Sequence, residues 1–537
     1  MLVTYHRIEA LPKLSWLGVV DISRATLRVY HGHAVETHQH FYVEGCWDGS
    51  FQEGALDESE CVNGTGARIR DDSVTFVPPS NTLDSLFYLQ IDVTVVASNS
   101  LPFLLAFCND SLNPNFDGYD RVFDSIAKGI NHYDRRIKTI CGHVNRLLYR
   151  NLKVSAIGCE FLDKRRPPPF QGFRDYVEYM EQTYAKLVAN IRDPARRVAM
   201  QVFSTQSSGY DTTAVNSIAA KHGIDKVFTC TTARDKFAFV GRERDMKSDD
   251  GSEIGKALGF DCIPIDRLAY QKTGLPDEVL YFAGAYHIAD VNLLEINGHV
   301  TGAAMLLNGT LGEIWRGKEY YEPHRTHWTN DELIRCDLSQ HGMGEVRLQA
   351  GIVSLPFPFI GARSRPDIYR IACSAEMNHW RVGGGYDKAI ARRIAEERGV
   401  PRDLFGQTKL NTTVGFARPP IPYNPELKRE YFEYLVRNNL VAWWQLRLLP
   451  LIHRLNQAIH YSSPRNYKAI YYFGRVVSKL LHRHYEPAIL LQRLSGSVYC
   501  FCVNKVSNDY SRKCSFGPAS ESNRESSRHR QTNDVIH

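Results

Sequence analysis

The stretch that decides the fold spans residues 198–223 and reads VAMQVFSTQSSGYDTTAVNSIAAKHG. Its first part is apolar and predicts a buried strand, whereas TTAVNSIAAKHG predicts a helix that ends at Gly223. The turn between them consists of Ser207, Ser208, Gly209, Tyr210, Asp211, Thr212 and Thr213. Because small residues admit a phosphate and N–H groups at a helix N-terminus bind anions, this turn is a candidate pyrophosphate site. The alternative is a polar turn in which Asp211 caps the helix.

Strand and helix patterns alternate from Arg196 to about Arg316. KVFTCTT (226–232) and AAMLLNG (303–309) predict further strands, and SEIGKALGF (252–260) predicts a helix. Such alternation predicts an α/β fold, in which a parallel sheet has helices on both faces. Ligands of these sheets bind at the carboxyl ends of the strands, where the turn at 207–213 is expected to lie.

This turn resembles the SGGxDS loop of the ATP pyrophosphatase (PP-loop) superfamily. Asp211 stands on the Asp of that motif and Thr212 on its second Ser, while Ser208 takes the place of the first Gly. Five further segments resemble the asparagine synthetase branch of this superfamily and follow in its order: DDGSEI (249–254), LLNGTLGEIWRG (306–317), LPFPFIG (355–361), YDKAIARRI (386–394) and FGQTK (405–409). The resemblance thus covers about residues 196–409.

The resemblance implies an adenine nucleotide alpha hydrolase-like fold that binds ATP. The pyrophosphate part of the nucleotide would lie against residues 207–213. A second turn, in LLNGTLGEIWRG, would complete this site with Gly309 and Gly312, which stand on the two glycines of the branch's GxGxDE turn.

The implied reaction is ATP-dependent and AMP-forming, as in a carbon–nitrogen ligase. A carboxylate or amide oxygen of a small-molecule substrate would be adenylated, and a nitrogen nucleophile would then displace AMP. Asp211 and Glu313 would hold Mg²⁺, a job that needs hard oxygen ligands. Lys388 and Lys409 would be the catalytic residues and would neutralise negative charge that develops in the transition state.

The sequence departs from this branch in two places. Glutamine-hydrolysing members begin with Met-Cys and use that Cys as the nucleophile, whereas Leu2 occupies the position here and the first cysteine is Cys46. Glutamine hydrolysis is therefore not expected, and the N-terminal region is interpreted as a degenerate glutaminase-like domain. LPFPFIG also lacks the Asp of the branch's VPFLD segment, so asparagine is not supported as the product. The alternative function is a nucleotide-binding or interaction protein without turnover.

Changes of pattern along the chain predict five regions. Short alternating runs, separated by turns such as CWDGS and VNGTG, favour strands up to about residue 110. Apolar spacings of three and four predict helices over 117–149 and 173–191. The predicted regions are a β-rich N-terminal domain (1–150), a helical linker (151–195), an ATP-binding domain (196–420), a helical C-terminal region (421–502) and a disordered tail (503–537).

Composition excludes several other classes of protein. The chain has 537 residues, of which 43% are hydrophobic and 23% charged, as is typical of folded proteins. No apolar run reaches the roughly 20 residues of a membrane span, and the first residues do not have the pattern of a signal peptide. A cytoplasmic location is therefore expected. The 12 cysteines have neither disulfide nor zinc spacing and are expected to be reduced thiols.

A basic segment at 441–490 contains seven Lys or Arg and one acidic residue, Glu486, together with Trp443 and Trp444. Such a segment could dock RNA, as in an RNA-modifying pyrophosphatase, or could be the solvated face of packed helices. We prefer the second interpretation, since the aromatic residues recur at helical spacing. Nucleic acid is therefore not an expected partner, and the C-terminal helices are a candidate surface for self-association.

A histidine cluster near the N-terminus is a weaker signal. It consists of His31, His33, His38 and His40. A hairpin that turned at residues 35–36 would place imidazoles in pairs on one face, as a zinc or iron site requires. A solvent-facing strand pair is the preferred interpretation, because the spacing fixes no carboxylate or thiolate within reach.

Overall fold

The structure of the protein is a computed structural model. It describes residues 1–116, 118–235, 246–267, 269–270, 274–284, 293–317, 344–383, 386–407, 410–411, 421–448 and 494–514, with a few short pieces between 449 and 493. Lys409 lies outside the described residues, as do most of the basic segment and everything after residue 514. The sequence predictions for those residues stay predictions.

Strands form most of the N-terminal region, as the alternating sequence predicts. They are β1 (Leu2–Arg7), β2 (Trp16–Asp21), β3 (Thr26–His31), β4 (Glu36–Thr37), β5 (Phe41–Trp47), β6 (Val62–Ile69), β7 (Ser73–Val77), β8 (Leu86–Ile91), β9 (Thr94–Ser98), β10 (Arg136–Lys138), β11 (His143–Leu147), β12 (Asn151–Ser155) and β13 (Gly158–Leu162). Among the described residues they pair in two sheets, in the orders β1-β3-β2-β9-β8-β11-β10 and β13-β12-β7-β6-β5-β4. The two sheets share one apolar core, in which Trp16 stacks on Phe76 with ring centroids 6.1 Å apart.

Two predictions for residues 117–195 are wrong. The helix predicted over 117–149 is limited to residues 119–124 and a short 3-10 turn, because β10 and β11 follow. Ile137 alternates with exposed neighbours in β10, and β11 is held by its pairing with β8, so strand pairing and not helical spacing governs the segment. The predicted linker over 151–195 begins with β12 and β13, and β12 pairs with β7 inside the N-terminal sandwich.

A parallel sheet forms the second domain, as the alternation of strands and helices predicts. The strands of this part of the chain are β14 (Met200–Thr205), β15 (Lys226–Cys230), β16 (Thr232–Asp235), β17 (Met246–Ser248), β18 (Cys262–Ile265), β19 (Ala303–Asn308), β20 (Ile352–Pro356) and β21 (Leu410–Asn411). The main sheet has the order β18-β15-β14-β19-β20, and all its pairings are parallel. The carboxyl ends of β14, β19 and β20 therefore lie at one edge.

Helices cover both faces of this sheet. The helices are α1 (Leu101–Cys108), α2 (Tyr119–Asp124), α3 (Phe173–Ile191), α4 (Tyr210–Ala219), α5 (Ser252–Leu258), α6 (Glu278–Gly284), α7 (Leu293–Asn297), α8 (Gly344–Ala350), α9 (Arg365–Cys373), α10 (Ala389–Glu397), α11 (Pro425–Arg437) and α12 (Leu494–Lys513). Leu306 of β19 packs in the core that contains α6, α8 and α12, whereas Met305 and Leu307 pack in the core that contains α3, α4 and α10. Within the described part of the chain, no helix is long and apolar enough to cross a bilayer.

The tail predicted to be disordered over 503–537 is helical in its first part, where α12 continues to Lys513. One face of α12 packs in the core through four buried residues at a spacing of four: Val498, Cys502, Val506 and Tyr510. The ring of Tyr510 lies 6.0 Å from that of Phe103 in α1. The prediction failed because Ser, Asn and Arg on the outer face of this helix obscure its apolar stripe.

A buried ion cluster joins the N-terminal sandwich to the parallel-sheet domain. Two nitrogens of the Arg347 guanidinium donate to the Glu44 carboxylate at 3.1 Å, and the third lies 2.9 Å from Asp84. The side chains of Arg347 and Glu44 are 1% and 0% exposed. Burial raises the pKa of Glu44, and the Arg347 charge opposes this rise. The buried charges of Arg347, Glu44 and Asp84 therefore stabilise one another, and removal of any one leaves the others uncompensated.

Replacement of Arg347 by Met is expected to lower the free energy of unfolding by about 3–5 kcal/mol, because it leaves buried carboxylates without their cation. Without that cation, the pKa of Glu44 in the folded protein is raised further. A carboxyl group whose pKa is raised by folding destabilises the folded state once the pH exceeds its pKa in the unfolded chain. The loss measured by urea unfolding should therefore be larger at pH 8 than at pH 5. Arg7→Met is the matched control, since Arg7 pairs with Glu9 while their side chains are 57% and 70% exposed, and the variant should lose at most about 1 kcal/mol. Equal losses in the two variants would contradict this account of the interface.

Candidate functional site

The predicted turn leads directly from β14 into α4, and its own hydroxyl groups shape it. Gly209 is the N-cap residue of α4, with φ −82° and ψ 162°. The Ser207 N–H donates to Thr212 Oγ1 at 3.1 Å, and the Gly209 N–H donates to Ser207 Oγ at 3.1 Å. Thr213 Oγ1 in turn donates to the Gly209 carbonyl at 2.7 Å. The result is a tight turn at the N-terminus of a helix whose first N–H groups have no partner within the helix.

Asp211 lies in the first turn of α4 and does not cap this helix. Both of its carboxylate oxygens accept hydrogen bonds from the Lys388 ammonium, each at 2.6 Å. Lys388 precedes α10 and its side chain is 0% exposed, whereas that of Asp211 is 21% exposed. Two predicted site residues that lie 177 positions apart in the sequence are therefore in direct contact.

The two predicted glycines pack against the same aspartate. A Cβ atom on Gly309 would lie 2.5 Å from the Asp211 Cβ and 2.9 Å from the Thr212 nitrogen. A Cβ atom on Gly312 would lie 2.2 Å from the Asp211 Cγ. Atoms cannot approach so closely, so only glycine fits at either position while Asp211 keeps its place. The second glycine turn therefore forms one wall of the site.

Glu313 follows Gly312 in a 3-10 turn and is half-buried. It is thus next in the chain to a residue that touches Asp211. The other predicted catalytic residue, Lys409, lies outside the described residues, although Gly406 three positions earlier is part of the site. The N–H of Gly406 donates to the Ser208 carbonyl at 2.8 Å.

Asp249 is a site residue whose role the sequence did not predict. Its Oδ1 accepts from the Ser208 N–H at 3.0 Å and from the Ser208 hydroxyl at 2.6 Å. Burial raises the pKa of Asp249, while these two hydrogen bonds lower it. Ser208, at which the sequence departs from the SGGxDS pattern, therefore binds a carboxylate in the neighbouring strand connection. The Asp-Asp pair ahead of α5 was visible in the sequence, but its partner was not.

Aromatic side chains support the opposite side of the turn, and no pattern in the sequence predicts them. Arg392 of α10 donates to the Tyr210 hydroxyl at 2.5 Å. The Tyr210 ring lies 5.0 Å from that of Tyr386 and 5.8 Å from that of Phe405. Gly406 has φ +69°, and a Cβ atom there would lie 2.5 Å from the Tyr210 ring. These aromatic contacts hold the first residue of α4 and thereby fix the direction of the helix N-terminus.

The histidine cluster does not form the hairpin that either of its interpretations required. β4 pairs with β5 and not with β3, so His31 belongs to one sheet and His38 directly follows a strand of the other. The His31 ring is buried and its Nδ1 lies 2.8 Å from the Gly32 carbonyl. His38 stacks on Phe41 with ring centroids 4.5 Å apart. Among the described residues, no group of three His, Cys, Asp or Glu side chains could hold a metal ion.

The donors around Asp211 fit a magnesium–phosphate ligand better than a bare metal ion. Asp211 offers carboxylate oxygens, and Glu313, the second predicted ligand, lies next to Gly312 in the glycine turn that packs on Asp211. Mg²⁺ commonly takes one or two protein carboxylates and completes its shell with waters and phosphate oxygens. Lys388 and the N–H groups of α4 supply the positive charge that phosphates need. The residues present therefore fit Mg²⁺ bound together with a phosphate chain.

No family model matches the chain, and neither does any curated protein. The resemblance to the asparagine synthetase branch therefore stays a prediction, and function has to be argued from the geometry around Asp211.

Proposed function

We propose that the chain is an ATP-dependent, AMP-forming enzyme of the asparagine synthetase-like type, with a PP-loop fold. The observation that carries this proposal is the convergence on Asp211. Asp211 belongs to the turn at 207–213, and two separate segments, the Gly309–Gly312 turn and the one that carries Lys388, both contact its side chain. A structural turn needs no such convergence, whereas a site that binds a metal-bound pyrophosphate does.

In this proposal the chain positions the nucleotide along the carboxyl edge of the sheet. The N–H groups at the start of α4 and the hydroxyls of Ser207 and Thr212 donate to the pyrophosphate. Mg²⁺ held by Asp211 and Glu313 supplies charge neutralisation to the leaving pyrophosphate. The Lys388 ammonium exchanges its carboxylate partner for phosphate oxygens and so neutralises charge in the transition state. A carboxylate or amide oxygen of the substrate attacks the α-phosphorus, and a nitrogen nucleophile then displaces AMP.

An assay for AMP and pyrophosphate tests this reaction class directly. The full chain is incubated with Mg²⁺ and ATP labelled at the α-phosphate, together with panels of carboxylates and of amines that include ammonia. We expect AMP and pyrophosphate to appear in equal amounts and only when a suitable carboxylate or amide is present. Formation of ADP and phosphate would contradict the proposed reaction.

Glutamine is not expected to be the nitrogen source. Cys46 lies 3.6 Å from the Met305 sulfur and is fully buried, and burial raises the pKa of its thiol to about 12. A protonated, enclosed thiol is a poor nucleophile. Glutamate release from glutamine should therefore equal the background, and Cys46→Ala should not change it. Glutamate formation that Cys46→Ala abolishes would contradict this prediction.

A second candidate function is nucleotide binding without turnover. It is favoured by the two hydrogen bonds between Ser208 and Asp249, which place a carboxylate where the family's loop has only glycine backbone. This candidate predicts Mg²⁺-dependent ATP binding with no exchange of labelled pyrophosphate into ATP for any substrate in the panels. Exchange would rule it out in favour of the enzyme.

A further inference from the structure

A narrow cleft lies between the N-terminal sandwich and the carboxyl end of β20, on residues that the proposed reaction does not use. Residues on its walls include Asn81, Tyr149, Pro356, Phe359, Gly361 and Arg363. Its volume of about 30 Å³ exceeds the roughly 10–15 Å³ that one water molecule needs. Glu60, Arg165 and Tyr179 also line an adjoining cleft of about 410 Å³. The inner cleft thus has room for a small group and continues into a larger outer one.

Arg363 places a buried positive charge in the wall of this cleft without a carboxylate partner. It is 8% exposed, and its Nε and Nη1 atoms are buried without a hydrogen-bond partner. Among the described residues no carboxylate forms an ion pair with it within 4.0 Å. Its guanidinium lies over the Tyr149 ring, 5.5 Å from the centroid. Buried arginines are normally paired, because an uncompensated charge is expensive to remove from water.

The walls around Arg363 are held in unusual backbone conformations. Tyr149 has φ +64°, which a non-glycine residue adopts only when its surroundings enforce it. Gly361 has φ +80°, and a Cβ atom there would lie 3.1 Å from the Phe170 ring. Burial raises the pKa of Tyr149 to about 12, so its hydroxyl stays neutral and does not serve as the counter-charge of Arg363.

We propose that this cleft is an anion site in which Arg363 binds a monovalent carboxylate. Arg363 matches a carboxylate because a guanidinium can donate two parallel N–H groups to its two oxygens. The charged residues of the outer cleft favour a ligand with a single negative charge. The cleft's four acidic residues, Asp48, Glu53, Glu58 and Glu60, outnumber its two basic residues, Arg165 and Lys186, and this excess of negative charge disfavours phosphates, which carry more negative charge than a carboxylate. The carboxylate belongs either to a small free acid or to a larger molecule whose remainder lies in the outer cleft.

Thermal unfolding of the full chain tests the site without any need for turnover. Sodium formate, acetate, glycine and phosphate are each titrated against sodium chloride at equal ionic strength. A ligand that binds only the folded state raises Tm, and we expect a saturable rise of about 2–4 °C. A rise with formate or acetate identifies a free acid, whereas a rise with glycine alone identifies the carboxylate of a larger molecule. Absence of a rise with all three, or a larger rise with phosphate, would overturn the proposal.

Two variants and a control connect the response to Arg363. Arg363→Met should abolish the rise and should be at least as stable as the parent in chloride, since it removes a buried charge that has no partner. Arg363→Lys keeps the charge but not the paired donors, and should weaken the apparent affinity at least about 10-fold. This second variant tests the site even if the first does not fold. Arg174 lies exposed on α3, so Arg174→Gln should respond like the parent. An unchanged response in either Arg363 variant would contradict the assignment.

Discussion

Asp211→Asn is expected to reduce AMP formation by about 100- to 1,000-fold or more, because the carboxylate both binds Lys388 and would hold the metal. The fold should suffer as well, since Lys388 is fully buried and would lose this carboxylate. Breaking a buried pair costs about 3–5 kcal/mol, and the partial exposure of Asp211 places the expected loss at the lower end. Parallel measurements of AMP formation and urea unfolding check both effects.

A double variant separates the loss of activity from the loss of stability. Asp211→Asn with Lys388→Met removes both charges, so stability should recover while activity stays lost. Asp261→Asn is the matched control, because Asp261 is an exposed aspartate of the same domain and should leave both quantities unchanged. Asp211→Asn with the activity and Mg²⁺-dependent ATP affinity of the parent would make Asp211 a purely structural residue.

Gly312→Ala is the second change with a large expected effect, although it alters no charge. The added methyl group would lie 2.2 Å from the Asp211 Cγ, so the carboxylate or the glycine turn must move. Such overpacking costs about 1–3 kcal/mol, and a misplacement of about 1 Å at a reacting group lowers rates by about 100-fold. We therefore expect a folded protein that has lost at least about 99% of its AMP formation.

Gly298→Ala is the matched control for this glycine. A Cβ atom at Gly298 would meet only the Glu295 carbonyl at 3.6 Å, an ordinary contact, and the residue lies in the same domain. It should keep the activity of the parent. Full activity in Gly312→Ala would mean that the close approach to Asp211 has no role in the reaction.

The sequence was most informative where local chemistry decides the structure. The strand, the small turn and the helix over 198–223 each follow a period or a preference of a few residues, and all three form, although α4 ends at Ala219 and not at Gly223. Gly309 and Gly312 were located by the resemblance of their segment to the GxGxDE turn. Their contact with Asp211 was not predicted, since it depends on the order in which β14 and β19 pair.

The predictions failed where distant segments decide the structure. Residues 136–147 have apolar spacings that suit a helix, but pairing with β8 imposes a strand. The hydrogen bonds of Asp249 to Ser208 join two strand connections, and no local pattern predicts them. The same is true of Arg363, whose burial without a partner arises only when the sandwich closes over the end of β20.

A crystal structure of the protein with Mg²⁺ and a non-hydrolysable ATP analogue tests the central claim most directly, through the distance between the Lys388 ammonium and the Asp211 carboxylate. That distance is 2.6 Å in the structure described above. The account predicts that the analogue's phosphates lie between residues 207–213 and the Gly309–Gly312 turn, with Lys388 beyond the ion-pair limit of about 4 Å from Asp211. An unchanged Lys388–Asp211 pair at saturating analogue, with the nucleotide elsewhere or absent, would contradict it.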